Sequence, residues 1–106
     1  MAETYKRLGG ISPSTTEASL YTVPASTQAV VTVNVCNKST SARTYRLGLV
    51  ATNAAAGAND WLAYDKLIDP NDVQQFTGIG MNAANTLRGY ASTADVTFVA
   101  SGVEIV

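Results

Sequence analysis

The chain of 106 residues contains no histidine. Histidine is the commonest general base, the commonest metal ligand and the usual pH switch near neutrality, so all three roles lose their most frequent side chain. Charged residues are also scarce, at 14% of the sequence, with a net charge of −1. Such a chain lacks the positive field that holds nucleic acid or an acidic membrane, and the basic pair Lys6–Arg7 is too small to supply one. We therefore expect no nucleic-acid partner and no membrane partner.

Cysteine occurs once, as Cys36. A single thiol forms neither an intramolecular disulfide nor a cysteine zinc site, and a cysteine nucleophile would need a histidine partner. We predict that Cys36 is a small buried side chain within a strand. The apolar runs are too short to span a membrane, and the first ten residues, MAETYKRLGG, lack the apolar stretch of a signal peptide. These features predict a protein made in a cytoplasm and kept there, or released by lysis.

What the sequence does contain is alternation of apolar and polar residues over short segments. Three valines alternate with polar or small residues in 28–37, and 43–50 repeats the pattern from Tyr45 onward. A period of two indicates strands that are buried on one face. Because only the short polar segment 38–41 separates these two strands, we predict that they form a hairpin.

Turn residues separate the remaining candidate strands. The segment 61–68 could form a helix or a strand, and we favour a strand followed by a turn at Pro70–Asn71. The predicted strands are 18–23, 28–37, 43–50, 61–68, 75–81, 86–92 and 96–103. Strands that recur about every ten residues predict an all-β fold, an antiparallel β-sandwich of seven or eight strands, either jelly-roll or immunoglobulin-like.

The first 17 residues are polar and rich in turn residues. They predict a short N-terminal arm, residues 1–17, which could include one short strand around residues 5–8. Residues 18–106 then form a single β-sandwich domain, because a chain of this length supports one modest core. We see no sequence repeat and no second domain.

The stretch DWLAYDKLIDPND, residues 60–72, holds four of the eight carboxylates and could be a catalytic or metal site. Glycosidases hold two carboxyl groups about 5–5.5 Å or about 6.5–9.5 Å apart. On a strand, Asp65 and Asp69 would lie roughly 13 Å apart, and Asp60 and Asp65 would face opposite sides. We therefore predict that the protein is not an enzyme.

A calcium site in the turn 69–72 has weak support, because the turn lacks the alternating ligands and central glycine of an EF-hand loop. Aspartates also favour turns for their own backbone hydrogen bonds. We predict that Asp60, Asp69 and Asp72 mark strand ends, and that no metal or cofactor is bound. Asp65 is expected to face solvent or to pair with one of three arginines, which are Arg43, Arg46 and Arg88.

Trp61 and Tyr64 allow two interpretations. A lone tryptophan in a small β-domain usually packs in the core or at its rim. An exposed tryptophan–tyrosine pair can instead stack on a sugar ring, and Tyr5, Tyr21 and Tyr90 are further stacking candidates. Tyr45 differs because it occupies a predicted core position.

Three groups of residues carry a resemblance to a known family. They are Leu20–Ala25 with Val35–Asn37, Thr44–Leu47 with Leu62–Asp65, and Gly78–Met81 with Arg88–Phe98 and Gly102–Ile105. In these stretches, and over nearly its whole length, the chain resembles the small virion proteins of tailed bacteriophages and cyanophages, which are β-sandwich modules of about one hundred residues. The segment Val99–Ala100–Ser101 stands where the family is expected to have a bulkier pair, which leaves head and tail members of the family both open.

The resemblance implies a structural virion protein, most simply a head decoration (cement) protein on the outer surface of the phage head, made in the host cytoplasm. Such a protein binds the assembled head and bridges subunits of the major capsid protein, and it is expected to be a homo-oligomer, a dimer or a trimer. The alternative is a host-recognition or carbohydrate-binding module on a tail or spike. The candidate partner contacts are Tyr5, Lys6 and Arg7 in the arm, which we expect to reach a neighbour through residues 2–14, and Trp61, Tyr64 and Asp65.

Overall fold

The computed structural model describes residues 2–106 and contains eight strands and no helix in that range. This part of the chain therefore has no helix long and apolar enough to cross a membrane. The segment 61–68 is a strand and is followed by a turn at Pro70–Asn71, as predicted. The strands are β1 (Glu3–Ile11), β2 (Ala18–Thr22), β3 (Gln28–Asn37), β4 (Arg43–Val50), β5 (Trp61–Ile68), β6 (Val73–Met81), β7 (Thr86–Ala91) and β8 (Val96–Ile105).

The strands form two four-stranded antiparallel sheets packed face to face. Sheet A has the order β1-β8-β3-β6 and sheet B the order β2-β7-β4-β5. Every connection crosses from one sheet to the other except the one from β4 to β5, and this strand order is that of a jelly roll. The predicted β-sandwich is confirmed. In the part of the chain that the structure describes, the outer strands β1, β6, β2 and β5 have no neighbouring strand on one side.

The core lies between the inner faces of the two sheets. β3 and β8 bury every second residue, including Val33, Val35 and Phe98, which have no exposed surface. Tyr45 is also fully buried, with its ring edge-on to Phe98 at 5.8 Å and to Phe76 at 6.3 Å. Burial raises the pKa of Tyr45 to about 12, and its hydroxyl donates a hydrogen bond to Gln74. The predicted core position of Tyr45 is confirmed.

The predicted hairpin between 28–37 and 43–50 is wrong. β3 pairs with β8 and β6 in sheet A, whereas β4 pairs with β7 and β5 in sheet B. The connection 38–42 carries the chain across the sandwich instead of reversing it within a sheet. Alternation indicates that a strand is buried on one face, but two strands that line the same core from opposite sheets show the same pattern.

Cys36 differs from its predicted position. The three valines of β3 occupy the core face, so Cys36 lies on the outer face of sheet A and is half-buried. The polar or small partners in an alternating strand face away from the core, and Cys36 follows that rule.

The segment predicted as an arm is largely a strand. Residues 3–11 form β1, which pairs antiparallel with β8 from Glu3–Ile105 to Ile11–Phe98 and is therefore longer than the short strand expected there. The exposed side chains of residues 3–7 explain its polar composition, because an edge strand buries little of its surface. Gly9 sits beside a register shift in β1, and its Cα lies so close to Leu20 that a Cβ would be 2.4 Å from the Leu20 carbonyl oxygen.

Candidate functional site

Arg46 forms the centre of a cluster on the outer face of sheet B. Its Nε donates to Asp65 Oδ1 at 2.6 Å and its Nη2 donates to Asp65 Oδ2 at 3.3 Å, which is a two-pronged ion pair. The guanidinium lies 4.1 Å from the ring centre of Tyr64 and 4.4 Å from that of Tyr90. A flat cation held against aromatic rings and a carboxylate is a geometry that arginine provides and lysine does not. We call Arg46, Trp61, Tyr64, Asp65 and Tyr90 the arginine cluster.

A β-bulge in β5 makes this cluster possible. Tyr45 pairs with Lys66 and Leu47 pairs with Ala63, so Tyr64 and Asp65 together oppose the single residue Arg46. Asp65 has a φ of 48°, the left-handed conformation that aspartate tolerates better than most residues. The extra residue brings both the tyrosine ring and the carboxylate to the same guanidinium.

Trp61 and Tyr64 contact each other but do not form a flat platform. Their ring centres are 5.4 Å apart and the ring planes meet at 67°, an edge-on arrangement. Together with Ala58 they line an open recess of about 340 Å³. Trp61 is half-buried and Tyr64 is 56% exposed, so both rings reach the protein surface and Tyr64 is the more exposed of the two.

The ion pair sets the protonation of the cluster. Arg46 holds the pKa of Asp65 below its ordinary value, chiefly through the hydrogen bonds to the carboxylate. The pKa of Arg46 is raised for the same reason. Asp65 is therefore a charged hydrogen-bond acceptor, and Arg46 already occupies both of its carboxylate oxygens. A carboxylate in this state is poorly suited to proton transfer.

Replacing Arg46 with glutamine should return the pKa of Asp65 to near its ordinary value of 3.8, because the two-pronged pair is lost. The measurement is a pH titration of the Asp65 carboxyl by NMR. Arg43→Gln is the matched control, because Arg43 pairs with Asp95 instead. An unchanged Asp65 titration in Arg46→Gln would contradict the assignment of the shift to this pair.

The other predicted contact residues lie on β1, at the opposite edge of the sandwich and in the other sheet. Among the described residues 2–106, Tyr5 is the most exposed large hydrophobic side chain, at 76%. Lys6 and Arg7 are held in place: Lys6 Nζ lies 2.8 Å from Glu104 Oε1, and the Arg7 guanidinium covers Gly10. The structure thus separates the six predicted residues into two groups of three.

Glu104 connects β1 and β8 of sheet A with β2 of sheet B. It is buried in β8, and besides Lys6 it accepts a hydrogen bond of 2.5 Å from the Tyr21 hydroxyl in β2. The salt bridge with Lys6 and the bond from Tyr21 hold the pKa of Glu104 below its ordinary value. Burial, more than the contact with Glu104, raises the pKa of Tyr21. Tyr21 is therefore a structural residue and not the stacking candidate that its sequence position allowed.

The lowered pKa of Glu104 predicts a loss of stability in acid. A carboxyl whose folded-state pKa is depressed stabilises the fold above its unfolded-state value, here near 4.5, and loses that contribution as the pH falls through the folded-state value. Glu104→Gln should be less stable than wild type at neutral pH and should converge with it in acid. Urea unfolding at a series of pH values measures this, with the exposed Glu3→Gln as control; parallel curves for wild type and Glu104→Gln would contradict it.

The remaining aspartates of 60–72 mark strand ends, as predicted. Asp60 precedes β5 and accepts a hydrogen bond of 2.7 Å from the Gly57 backbone, and Asp72 Oδ1 accepts one of 2.9 Å from Val73. Asp69 begins the turn that leads to β6. Among residues 2–106, histidine, cysteine and acidic side chains form no group of three that could hold a metal ion.

Sequence pattern anticipated the members of the arginine cluster singly but not their assembly. Arg46 was one of three possible partners for Asp65, and Tyr90, which is half-buried in the structure, was one of several stacking candidates. Arg46 in β4 and Tyr90 in β7 are cross-strand neighbours. This neighbour relation can be predicted only when the order of the strands in sheet B is known. Asp65 pairs with Arg46, whereas Arg43 binds Asp95 and Arg88 binds Glu17.

Comparisons of the chain with protein-family models, with curated proteins and with solved structures find no match. What the protein does is therefore inferred from its residues and their geometry.

Proposed function

We propose that this protein is a structural, non-enzymatic component of a tailed-phage virion. It acts as a decoration protein that binds the outer surface of the assembled head and bridges subunits of the major capsid protein. The resemblance of the sequence to small virion proteins supports this proposal. The jelly roll is compatible with it, because viral capsid and lectin domains use the same architecture, although a fold by itself does not specify a function.

The observation that carries the proposal is the position of the two exposed aromatic groups. Tyr5 lies on β1 and Tyr64 on β5, which are edge strands of different sheets at opposite sides of the sandwich. Large aromatic side chains are the usual anchors of protein interfaces. A rigid module with one anchor at each side is suited to touching two neighbours at once.

Bridging stabilises a shell by mass action. A protein that binds the assembled shell and not its separated subunits shifts the equilibrium toward the shell in proportion to its occupancy. The low net charge of −1 means that such binding would depend on apolar and hydrogen-bonding contacts and only weakly on salt.

The test is the composition of purified particles of the phage that encodes this chain. Quantitative mass spectrometry against the major capsid protein should give hundreds of copies per particle in a simple ratio to the capsid subunits. A few copies to a few tens would place the protein on the tail or a vertex. Absence from the particles would overturn the proposal.

Point substitutions test the contacts better than deletion of the N-terminal residues. Removing 2–14 would delete β1 from sheet A and expose β8 along its whole length. Tyr5→Ser and Tyr64→Ser change exposed side chains and leave the strands paired. Each should weaken binding to heads stripped of the protein, whereas Val106→Ser, which changes another exposed apolar residue, should bind as wild type does.

The recess beside Trp61 and Tyr64 favours carbohydrate binding as a second candidate. One sugar ring could stack on the exposed face of one of these aromatic side chains, although their edge-on arrangement offers no extended platform. A glycan array should then show saturable binding that Trp61→Ala removes without unfolding the protein. If the array shows no binding, carbohydrate binding is ruled out and the decoration role remains as the single proposed function.

A further inference from the structure

Of the four edge strands, three carry features that discourage pairing with another chain. β1 contains a register shift and three charged residues, β2 is only five residues long and is closely followed by Pro24, and β5 has two register shifts and an adjacent Asp–Lys pair. Charges, bulges, prolines and short length are the devices by which natural proteins protect exposed strand edges.

The fourth edge strand, β6, lacks most of these devices. Its nine residues, VQQFTGIGM, contain neither a charged residue nor proline. The single bulge, around Thr77 and Gly78, leaves Val73–Phe76 in regular register with β3. Within residues 2–106 its only strand partner is β3, so its other edge presents backbone N–H and C=O groups without a ladder.

The side chains next to this open edge are also uncharged and exposed. Val73 is 55% exposed, and Gln75 and Thr77 are exposed as well. A partner strand would therefore meet hydrogen-bonding backbone, one apolar side chain and two neutral polar ones. Nothing along this edge attracts a charged peptide in preference to a neutral one.

We propose that β6 pairs with β6 of a second copy of this chain, antiparallel across a two-fold axis near Gln75. In such a pair Gln75 faces its own counterpart and Val73 faces Thr77 of the other copy, so no like charges oppose each other. The ladder joins the two A sheets into one eight-stranded sheet. Main-chain hydrogen bonds supply the affinity, as they do wherever a strand is added to a sheet edge.

This pairing uses neither the outer face of sheet B nor the edge of β1. The arginine cluster lies on the outer face of sheet B, and β1 lies at the far edge of sheet A. The dimer would carry its two Tyr5 side chains at opposite ends. If the decoration role is correct, one dimer would then span two capsid sites; the pairing itself does not depend on that role.

Sedimentation equilibrium of the full chain tests the proposal. Wild type should dimerise, and Val73→Lys/Thr77→Lys, which sets lysines opposite lysines, should raise the dimer dissociation constant by about tenfold or more. Thr4→Lys/Gln28→Lys is the matched control, because it adds the same charge to exposed positions outside β6 and should dimerise as wild type does. Circular dichroism and thermal unfolding establish that all three proteins are folded.

Hydrogen exchange locates the interface. Amides of residues 73–77 should exchange more slowly in concentrated wild type than in dilute wild type, and the double-lysine variant should lose this difference. A wild-type chain that stays monomeric at millimolar concentration, or a dimer that persists in the double-lysine variant, would overturn the proposal. Either result is distinct from failure of the decoration role, which is read from particle composition.

Discussion

Replacing Gly102 with alanine should destabilise the protein by about 3 kcal/mol or more, and lower its melting temperature by roughly 15 °C. Gly102 lies in β8 directly opposite Val31 of β3, between two central strands of sheet A. A Cβ at this position would lie 2.1 Å from the Val30 carbonyl oxygen and 3.0 Å from the Val31 Cα. Both contacts involve backbone, so the strands themselves must separate to admit a methyl group.

Gly80→Ala is the control for Gly102→Ala. Gly80 lies in β6 of the same sheet, and a Cβ there has no atom within 4 Å. Its replacement should leave stability unchanged or raise it slightly, because alanine restricts the unfolded chain. Urea unfolding of both variants measures the difference, and equal stabilities would show that the β3–β8 contact tolerates a side chain.

Replacing Asn37 with aspartate should cost about 3 to 5 kcal/mol at neutral pH. The Asn37 side chain is fully buried where β3 ends, and its Nδ2 lies 2.9 Å from the Ser41 carbonyl, 3.2 Å from that of Ile68 and 3.1 Å from that of Asp69. Its Oδ1 accepts a hydrogen bond of 2.9 Å from the Ser39 backbone. The amide thus ties the 38–42 connection to the turn after β5. A carboxylate has the same shape but would face three carbonyl oxygens without a proton to donate.

The Asn37→Asp penalty should shrink in acid. Burial beside carbonyl oxygens raises the pKa of such a carboxyl above its unfolded-state value, so the penalty is present at high pH and is relieved as the pH falls. The difference from wild type must be taken at each pH, because Glu104 makes wild type itself less stable in acid. Asn34→Asp is the control: Asn34 is half-buried on the outer face and its Oδ1 already acts as an acceptor, for Gln75. Equal effects of the two changes would contradict the role given to Asn37.

The positions of the strands could be predicted from the sequence because each of these strands buries one face. The bounds of β3, β4 and β5 agree with the predicted segments, and those of β6 and β8 extend them by two residues. β1 was underestimated because an edge strand with five exposed residues at its start has no alternation to read. The pairing partners of each strand were harder to predict, as the wrong hairpin between β3 and β4 illustrates.

The arginine cluster could be predicted only in part. Composition and charge allowed an ion pair between Asp65 and an arginine as one of two alternatives, and the choice of Arg46 depends on the bulge in β5. A bulge changes which residues oppose each other across two strands. Residues that tolerate a left-handed backbone, such as aspartate, indicate the position of a bulge only weakly. Glu104 is a similar case, since its partners Lys6 and Tyr21 are distant in sequence and meet only where β1, β2 and β8 converge.

The sequence by itself determined that this is an all-β chain, where most of its strands lie, and that Tyr45 and the β3 valines belong to the core. These are local properties, set by which side chains can lie against an apolar layer along one strand. The tertiary structure decided the jelly-roll order, the arginine cluster and the unprotected edge of β6. Those features depend on which strands become neighbours. The free energy of strand pairing comes from contacts between residues that are far apart in the sequence, so no short segment determines it.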